Sequence, residues 1–123
     1  MPLLIYLVED NPTIRDAMIV TLREDFGARI VGVADTEADA ARWLKRPGQA
    51  WNLAIVDLFL KQGSGLGVLS ALPRDRSPCR RVVVLTNYAT PAMRERCLAA
   101  GADQVFDKST ELDSFLAYCR ACP

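Results

Sequence analysis

Three carboxylates, one hydroxyl and one ammonium stand where short apolar runs stop. Glu9 and Asp10 close LLIYLVED, Asp57 closes NLAIVD, Thr86 closes RVVVLT and Lys108 closes QVFDK. Taken singly, an acid at a strand end is more often a solvated loop residue or a helix cap, and a threonine or lysine there is strand filler or surface charge. Gathered on one rim, they have chemistry to do. Unit charges about 4 Å apart at an effective dielectric near 20 interact by roughly 4 kcal/mol, so clustered carboxylates require a neutralising cation. Lys108 supplies one. An all-oxygen acidic cluster also suits Mg²⁺, which binds through few carboxylates and keeps several waters. A metal with open positions can bring in a phosphoryl donor, and a carboxylate can serve as nucleophile toward it.

A second chemistry competes for the same segment. After Asp57 the chain turns glycine-rich, GSGLG over residues 63–67, which invites comparison with a phosphate-cradling loop. A dinucleotide fingerprint needs a third glycine where Val68 stands, and no Gly-Lys-Ser/Thr follows for the P-loop pattern. The run also comes after the third apolar segment, not the first, so it reads as a flexible turn into a short helix. The absence of histidine excludes a Ser-His triad and a phosphohistidine within this chain. Four cysteines (Cys79, Cys97, Cys119, Cys122) fit free thiols in a reducing compartment. CRAC at 119–122 has the CxxC spacing but no companion ligands, so no zinc site is expected.

The elements that must position these groups alternate. Strands are expected over 3–9, 29–34, 53–57, 81–86 and 104–108, mostly as continuous Leu/Ile/Val runs, the pattern of strands buried on both faces of a parallel sheet. Between them lie helical patterns with legible ends. Asn11 caps the first with Pro12 behind it, and Ile14, Met18 and Leu22 share a face. Thr36 with Asp39 resembles a capping box, Leu66–Leu72 forms a short third helix, and Thr90-Pro91 opens the fourth, with Met93 and Cys97 on one face and Gly101 at its end. Thr110 opens the last, with Leu112, Phe115, Leu116 and Cys119 expected to face inward. Five β-α units with right-handed crossovers make a three-layer α/β sheet, in which ligands bind outside the carboxyl ends of the strands.

Composition narrows the classes. Of 123 residues, 50% are apolar and 24% charged, which fits one globular domain over 1–123. Fifteen basic and fifteen acidic side chains cancel, so the excess that direct nucleic-acid binding requires is missing. The densest basic run, Arg74 to Arg81, is interrupted by Asp75 and Pro78 and reads as a solvated loop. No apolar run approaches membrane-spanning length and no basic leader precedes the first strand, so no membrane partner and a cytoplasmic location are expected.

At these residues the sequence resembles the receiver domains of two-component response regulators. The likeness rests on the Glu9-Asp10 pair, on VDLFLKQGSG around Asp57, on VVLTNYA around Thr86 and on GADQVFDKS around Lys108, and it covers essentially the whole chain. It implies a single-domain (βα)5 flavodoxin-like sandwich with a parallel sheet of order 2-1-3-4-5. In it, Asp57 matches the phosphoacceptor, and Glu9, Asp10, Asp57 and the backbone carbonyl of Phe59 match the Mg²⁺ ligands. Thr86 and Lys108 match the groups that contact the phosphoryl oxygens. The implied partners are a histidine kinase or histidine phosphotransfer protein as donor, contacting Ile14, Met18 and Ser109, and a downstream protein or a missing output domain. Only one helix remains after Lys108, which suits a stand-alone receiver or a piece of a longer regulator. Such a protein catalyses its own aspartyl phosphorylation and slow hydrolysis, yet is a signalling switch more than a metabolic enzyme.

Several positions depart from the family pattern. Val105 stands where a switch aromatic is usual, Ser109 replaces the proline after the lysine, Lys61 replaces a proline common after the phosphoacceptor, and bulky Asn87 follows Thr86. Phe106 should face away from Val105 on a strand. Phe59 and Tyr88 are bulky neighbours of the acceptor, able to screen an acyl phosphate from water, and Tyr88 is a candidate substitute for the missing ring. Two alternatives follow: a degenerate receiver acting as a phosphorylation-independent interaction module, which would not need Mg²⁺, and a flavodoxin-like nucleotide binder, which the broken glycine pattern disfavours.

Overall fold

The computed structural model describes residues 2–73 and 76–122. Along the chain run β1 (Leu4–Val8), α1 (Pro12–Phe26), β2 (Arg29–Ala34), α2 (Glu37–Lys45), β3 (Leu53–Val56), α3 (Gly65–Ser70), β4 (Arg81–Thr86), α4 (Pro91–Ala99), β5 (Gln104–Asp107) and α5 (Leu112–Ala121). The strands form one sheet of order β2-β1-β3-β4-β5, every pair parallel. This is the expected flavodoxin-like topology, and the strand order reverses between β1 and β3.

The continuous apolar runs are explained by two cores, one on each face of the sheet. Tyr6 and Val8, Ala54 and Val56, Val82 and Val84, and Val105 point to a cluster closed by Ala40, Leu44, Val68, Leu69 and Cys97 of α2, α3 and α4. The alternate residues Ile5, Leu7, Leu53, Ile55, Val83, Leu85 and Phe106 meet Leu22, Phe115 and Cys119 of α1 and α5. Each fully buried aliphatic side chain in these layers stabilises the fold by about 1.5–3 kcal/mol. Val105 and Phe106 do face opposite ways, and Phe106 packs edge-on against Phe115 with ring centroids 5.9 Å apart.

Most helix starts follow the sequence. The side chains of Asn11, Thr36, Ser64 and Thr90 each accept a bond from the backbone N–H three residues on, with Pro12 and Pro91 in the first turns of α1 and α4. The third helix is Gly65–Ser70 instead of 66–72. The last start is a correction. Thr110 does not open α5, because the Asp107 carboxylate captures the turn, accepting from the Ser109 N–H (2.8 Å), the Ser109 hydroxyl (2.6 Å) and the Thr110 N–H (3.1 Å). The helix starts at Leu112 with Glu111 as its cap residue, and Leu112 is exposed, not inward-facing.

The basic loop also differs from expectation. Arg74 and Asp75 lie outside the described residues, but Arg76 is spent on structure: its guanidinium donates to Gly101 O (2.7 Å), Asp103 Oδ2 (2.8 Å) and Arg80 O (3.1 Å). Arg80 stacks on Trp51 and Arg81 on Tyr118. Among the described residues no peptide bond is cis and no helix is long and apolar enough to cross a membrane.

Candidate active site

The carboxyl ends of β1 and β3 adjoin at the point where strand order reverses, and the ladder sets the acids there. The Asp57 N–H donates to Val8 O and the Glu9 N–H to Ala34 O, both at 3.0 Å, so both side chains leave the sheet at one level. The Lys108 N–H donates to Thr86 O (2.9 Å), which carries the lysine past the end of β5 to the same rim. Its ammonium reaches back between two acids, donating to Glu9 Oε1 at 2.5 Å and Asp57 Oδ2 at 3.0 Å. The second oxygen of Asp57 accepts from the Leu58 N–H (2.7 Å), and that of Glu9 from the Asn11 N–H (3.3 Å). Carboxylate oxygens of Glu9, Asp10 and Asp57 all lie within 4.8 Å of one another.

Electrostatics follow from this packing. Glu9 is almost wholly buried. Burial and, secondarily, the Asp57 charge push its pKa up, against the lowering pull of Lys108 and the Asn11 N–H. Burial works against the Lys108 ammonium, but the bonds to Glu9 and the charge of Asp57 outweigh it and the lysine titrates above its ordinary value. The rim is therefore an acidic cluster with one fixed cation. Three oxygen-donating side chains close together, with a partly open mouth, fit a hard divalent ion such as Mg²⁺.

Around the cluster stand the remaining expected residues. Thr86 ends β4 fully buried, and its hydroxyl accepts from the Tyr88 N–H (3.2 Å), so it is engaged within its own loop instead of with the acids. The rings of Phe59 and Tyr88 meet across the two loops, centroids 4.2 Å apart and tilted by 55°. The glycine run explains itself here: a Cβ on Gly65 would lie 2.2 Å from the carbonyl oxygen of Asp57, so only glycine lets the loop fold back against the strand that carries the acid. Gly65 N–H to Leu58 O (2.9 Å) holds that approach.

Other groups stay apart from the site. Asp35, beyond β2, pairs with Lys61 at 3.8 Å. All four cysteines are free thiols. Burial pushes Cys119 to about 12 and raises Cys122, and neither joins an acidic or histidine-bearing cluster among the described residues. Sequence reasoning passed over three residues that brace the rim. Glu37 accepts from the Ser64 N–H (2.9 Å), and Arg94 donates to Ala89 O (2.9 Å), Val105 O (3.0 Å) and Glu111. These partners are 5–27 residues apart in sequence, and no local spacing marks them.

Comparisons with known proteins identify the family and the fold. The chain matches the family model of the response regulator receiver domain over residues 5–120. The acid tolerance regulatory protein ActR of Rhizobium meliloti (strain 1021) is 32% identical over 111 residues, which make up 90% of this chain and 55% of ActR; the chain thus spans about half the length of that curated relative. A response regulator protein from Burkholderia pseudomallei, solved with a phosphorylated aspartic acid, a calcium ion and citrate, superposes with a TM-score of 0.78 at 26% identity, over 94% of this chain and 65% of that one. The receiver domain of the sensor histidine kinase PA1611 from Pseudomonas aeruginosa PAO1, solved with a magnesium ion in its active-site cleft, shares the fold with a TM-score of 0.79 at 23% identity, over 99% and 98% of the chains.

Proposed function

Because the chain belongs to the response regulator receiver domain family, we propose that Asp57 is its phosphoacceptor and that residues 1–123 form one receiver unit of a two-component pathway. The observation that carries the assignment is the pair of bonds from Lys108 to Glu9 and Asp57, with a carboxylate oxygen of Asp10 within 4.8 Å of oxygens of both acids, since this sets the acceptor beside one ammonium and two further potential ligands. Glu9, Asp10, Asp57 and the Phe59 carbonyl would hold Mg²⁺. When bound, the ion supplies positive charge and open coordination positions for phosphoryl oxygens. A magnesium ion in the cleft of the Pseudomonas receiver, and a phosphorylated aspartic acid and a calcium ion in the Burkholderia regulator, support the same chemistry here.

In the transfer, an oxygen of the Asp57 carboxylate bonds to phosphorus as the bond from phosphorus to the donor breaks, and the donor's leaving group departs with that electron pair. No proton has to leave the nucleophile, so the protein's work is positioning and neutralisation. Lys108 already touches Asp57 and is placed to follow a phosphoryl oxygen. Thr86 can turn its hydroxyl from the Tyr88 N–H to the phosphoryl group, and the new charge, about −1.5 to −2, draws the loop after β4 with it. That loop movement is the switch.

The donor is a histidine kinase or histidine phosphotransfer protein. An apolar groove of about 330 Å³ between α1 and α5, lined by Ile14, Met18, Leu112 and Leu116, opens beside Asn87 and Lys108 and suits a helix of such a donor. Ile14 and Met18 are only half-buried there, while Ser109 lies exposed at the mouth of the β5–α5 loop. The assignment is tested by intact mass after incubation with acetyl phosphate, with and without Mg²⁺, in the wild type and in Asp57→Asn. The expected result is one Mg²⁺-dependent phosphoryl adduct that is lost in the variant. An adduct that persists in Asp57→Asn moves the acceptor elsewhere.

A further inference from the structure

The loop that follows Asp57 carries the Phe59 carbonyl, and something must fix its course. Part of the restraint is internal: Gly65 bonds back to Leu58, and Phe59 and Ser64 face each other in an antiparallel bridge. That bridge uses the carbonyl of Leu58, so the N–H of Ser64 needs a partner from outside the loop. It finds the Glu37 carboxylate, Oε1 at 2.9 Å. The start of α2 is stitched to the same loop by the Glu37 N–H, which donates to Gln62 O (3.0 Å), and by a bridge between Thr36 and Gln62.

The glycines of the loop are shaped around this carboxylate. A Cβ on Gly63 would stand 2.4 Å from Glu37 Cβ, and one on Gly67 would stand 2.2 Å from the Glu37 carboxyl carbon. Gly67 lies in α3 with ordinary helical geometry, where alanine would otherwise be the better helix former, so room for Glu37 is the structural reason this position favours glycine. Two glycines thus seat one acid whose carboxylate bonds the loop at the Ser64 N–H and so holds the turn on which both the Asp57 backbone and the Phe59 carbonyl depend.

We infer that Glu37 is a positioning residue for the cation site, fixing the loop that presents the Phe59 carbonyl through its bond to the Ser64 amide. The inference rests on the assignment of Asp57 and Phe59 made above. Removing the carboxylate frees the Ser64 amide and lets the loop wander, weakening cation binding with little effect on the folded core. Glutamine keeps an acceptor oxygen in the same place and so keeps the loop.

The test uses the whole chain in four forms, wild type, Glu37→Ala, Glu37→Gln and Gly67→Ala, with two readouts. One is hydrogen exchange of the Ser64 and Gly65 amides in metal-free protein; the other is the Kd for Mg²⁺ by calorimetry, with Asp57→Asn as reference. Glu37→Ala should speed Ser64 exchange and raise the Kd by about three- to tenfold, at or below the lower end found for groups that support metal ligands. Glu37→Gln should stay near wild type. Gly67→Ala, which evicts the carboxylate while leaving Glu37 in the chain, should reproduce the alanine phenotype, and the double variant should be no worse than either. Unchanged exchange and Kd in Glu37→Ala, or effects of the two substitutions that add in full, would overturn the inference. A wild type that binds no Mg²⁺, or an Asp57→Asn that binds it equally, instead defeats the site assignment, and the inference falls with it.

Discussion

At the scale of single residues, the rim sets charged groups beside aromatic ones. Asp57 and Lys108 belong to the first kind, Phe59 and Tyr88 to the second. The two rings are 53% and 55% exposed, too open to contribute much to the core, and their contact beside the acceptor loop is the reason to assign them a screening role. Substituting Phe59 changes the side chain but not the carbonyl proposed as a metal ligand. Phe59→Ala should therefore leave Mg²⁺ affinity near wild type while raising the hydrolysis rate of phosphorylated Asp57 by roughly threefold, about 0.7 kcal/mol in barrier. Phosphate release after removal of the donor measures it, and an unchanged rate would remove Phe59 from the account.

At the scale of elements, legibility tracked how local the determining contact is. β2 and β4 coincide with their sequence assignments because a β-branched run between turn residues suffices to define them. α5 starts at Leu112, one residue later than a Thr110 cap implies, because the Asp107 carboxylate, itself the last residue of β5, holds the Ser109 and Thr110 N–H groups and keeps Thr110 in the preceding turn. The five rim residues were legible because strand ends in a parallel sheet converge whatever the loops do. Glu37 was not, since its bond to Ser64 spans 27 residues. The start of α5 carries its own prediction. Arg94, and secondarily the Asp107 N–H, hold Glu111 below the usual carboxylate range. A depressed acid stabilises the fold above its unfolded pKa of about 4.3, and the contribution fades as pH falls through the lower folded value. Glu111→Gln should thus melt below wild type at pH 7, with the gap closing below about pH 4. A gap independent of pH would mean that packing, not charge, accounts for the difference.

At the scale of the whole molecule, a neutral chain concentrates its charge conflict at one rim. Two apolar layers hold the sheet, while Glu9, Asp10 and Asp57 cluster at the rim and the Lys108 ammonium pairs with Glu9 and Asp57. Burial raises the pKa of Glu9 first, and the Asp57 charge adds to it. Without a divalent ion, acids this close repel by a few kcal/mol before solvent relaxes them, and Lys108 offsets only part of it. Removing one charge should then stabilise the fold. Asp57→Asn retains an acceptor for the Leu58 N–H and leaves Lys108 to Glu9, so in EDTA its Tm should exceed that of wild type by roughly 2–8 °C, the shift for about 1 kcal/mol in a domain of this size. Millimolar Mg²⁺ should reverse the order by raising the wild-type Tm more than that of the variant, because an ion that binds only the folded state stabilises it by mass action. Thermal unfolding of both proteins with and without Mg²⁺ reads the two effects together. A variant that melts at or below wild type in EDTA would mean that the Lys108 to Asp57 bond outweighs the repulsion, and that the rim is a structural ion pair more than a site held in tension for a cation.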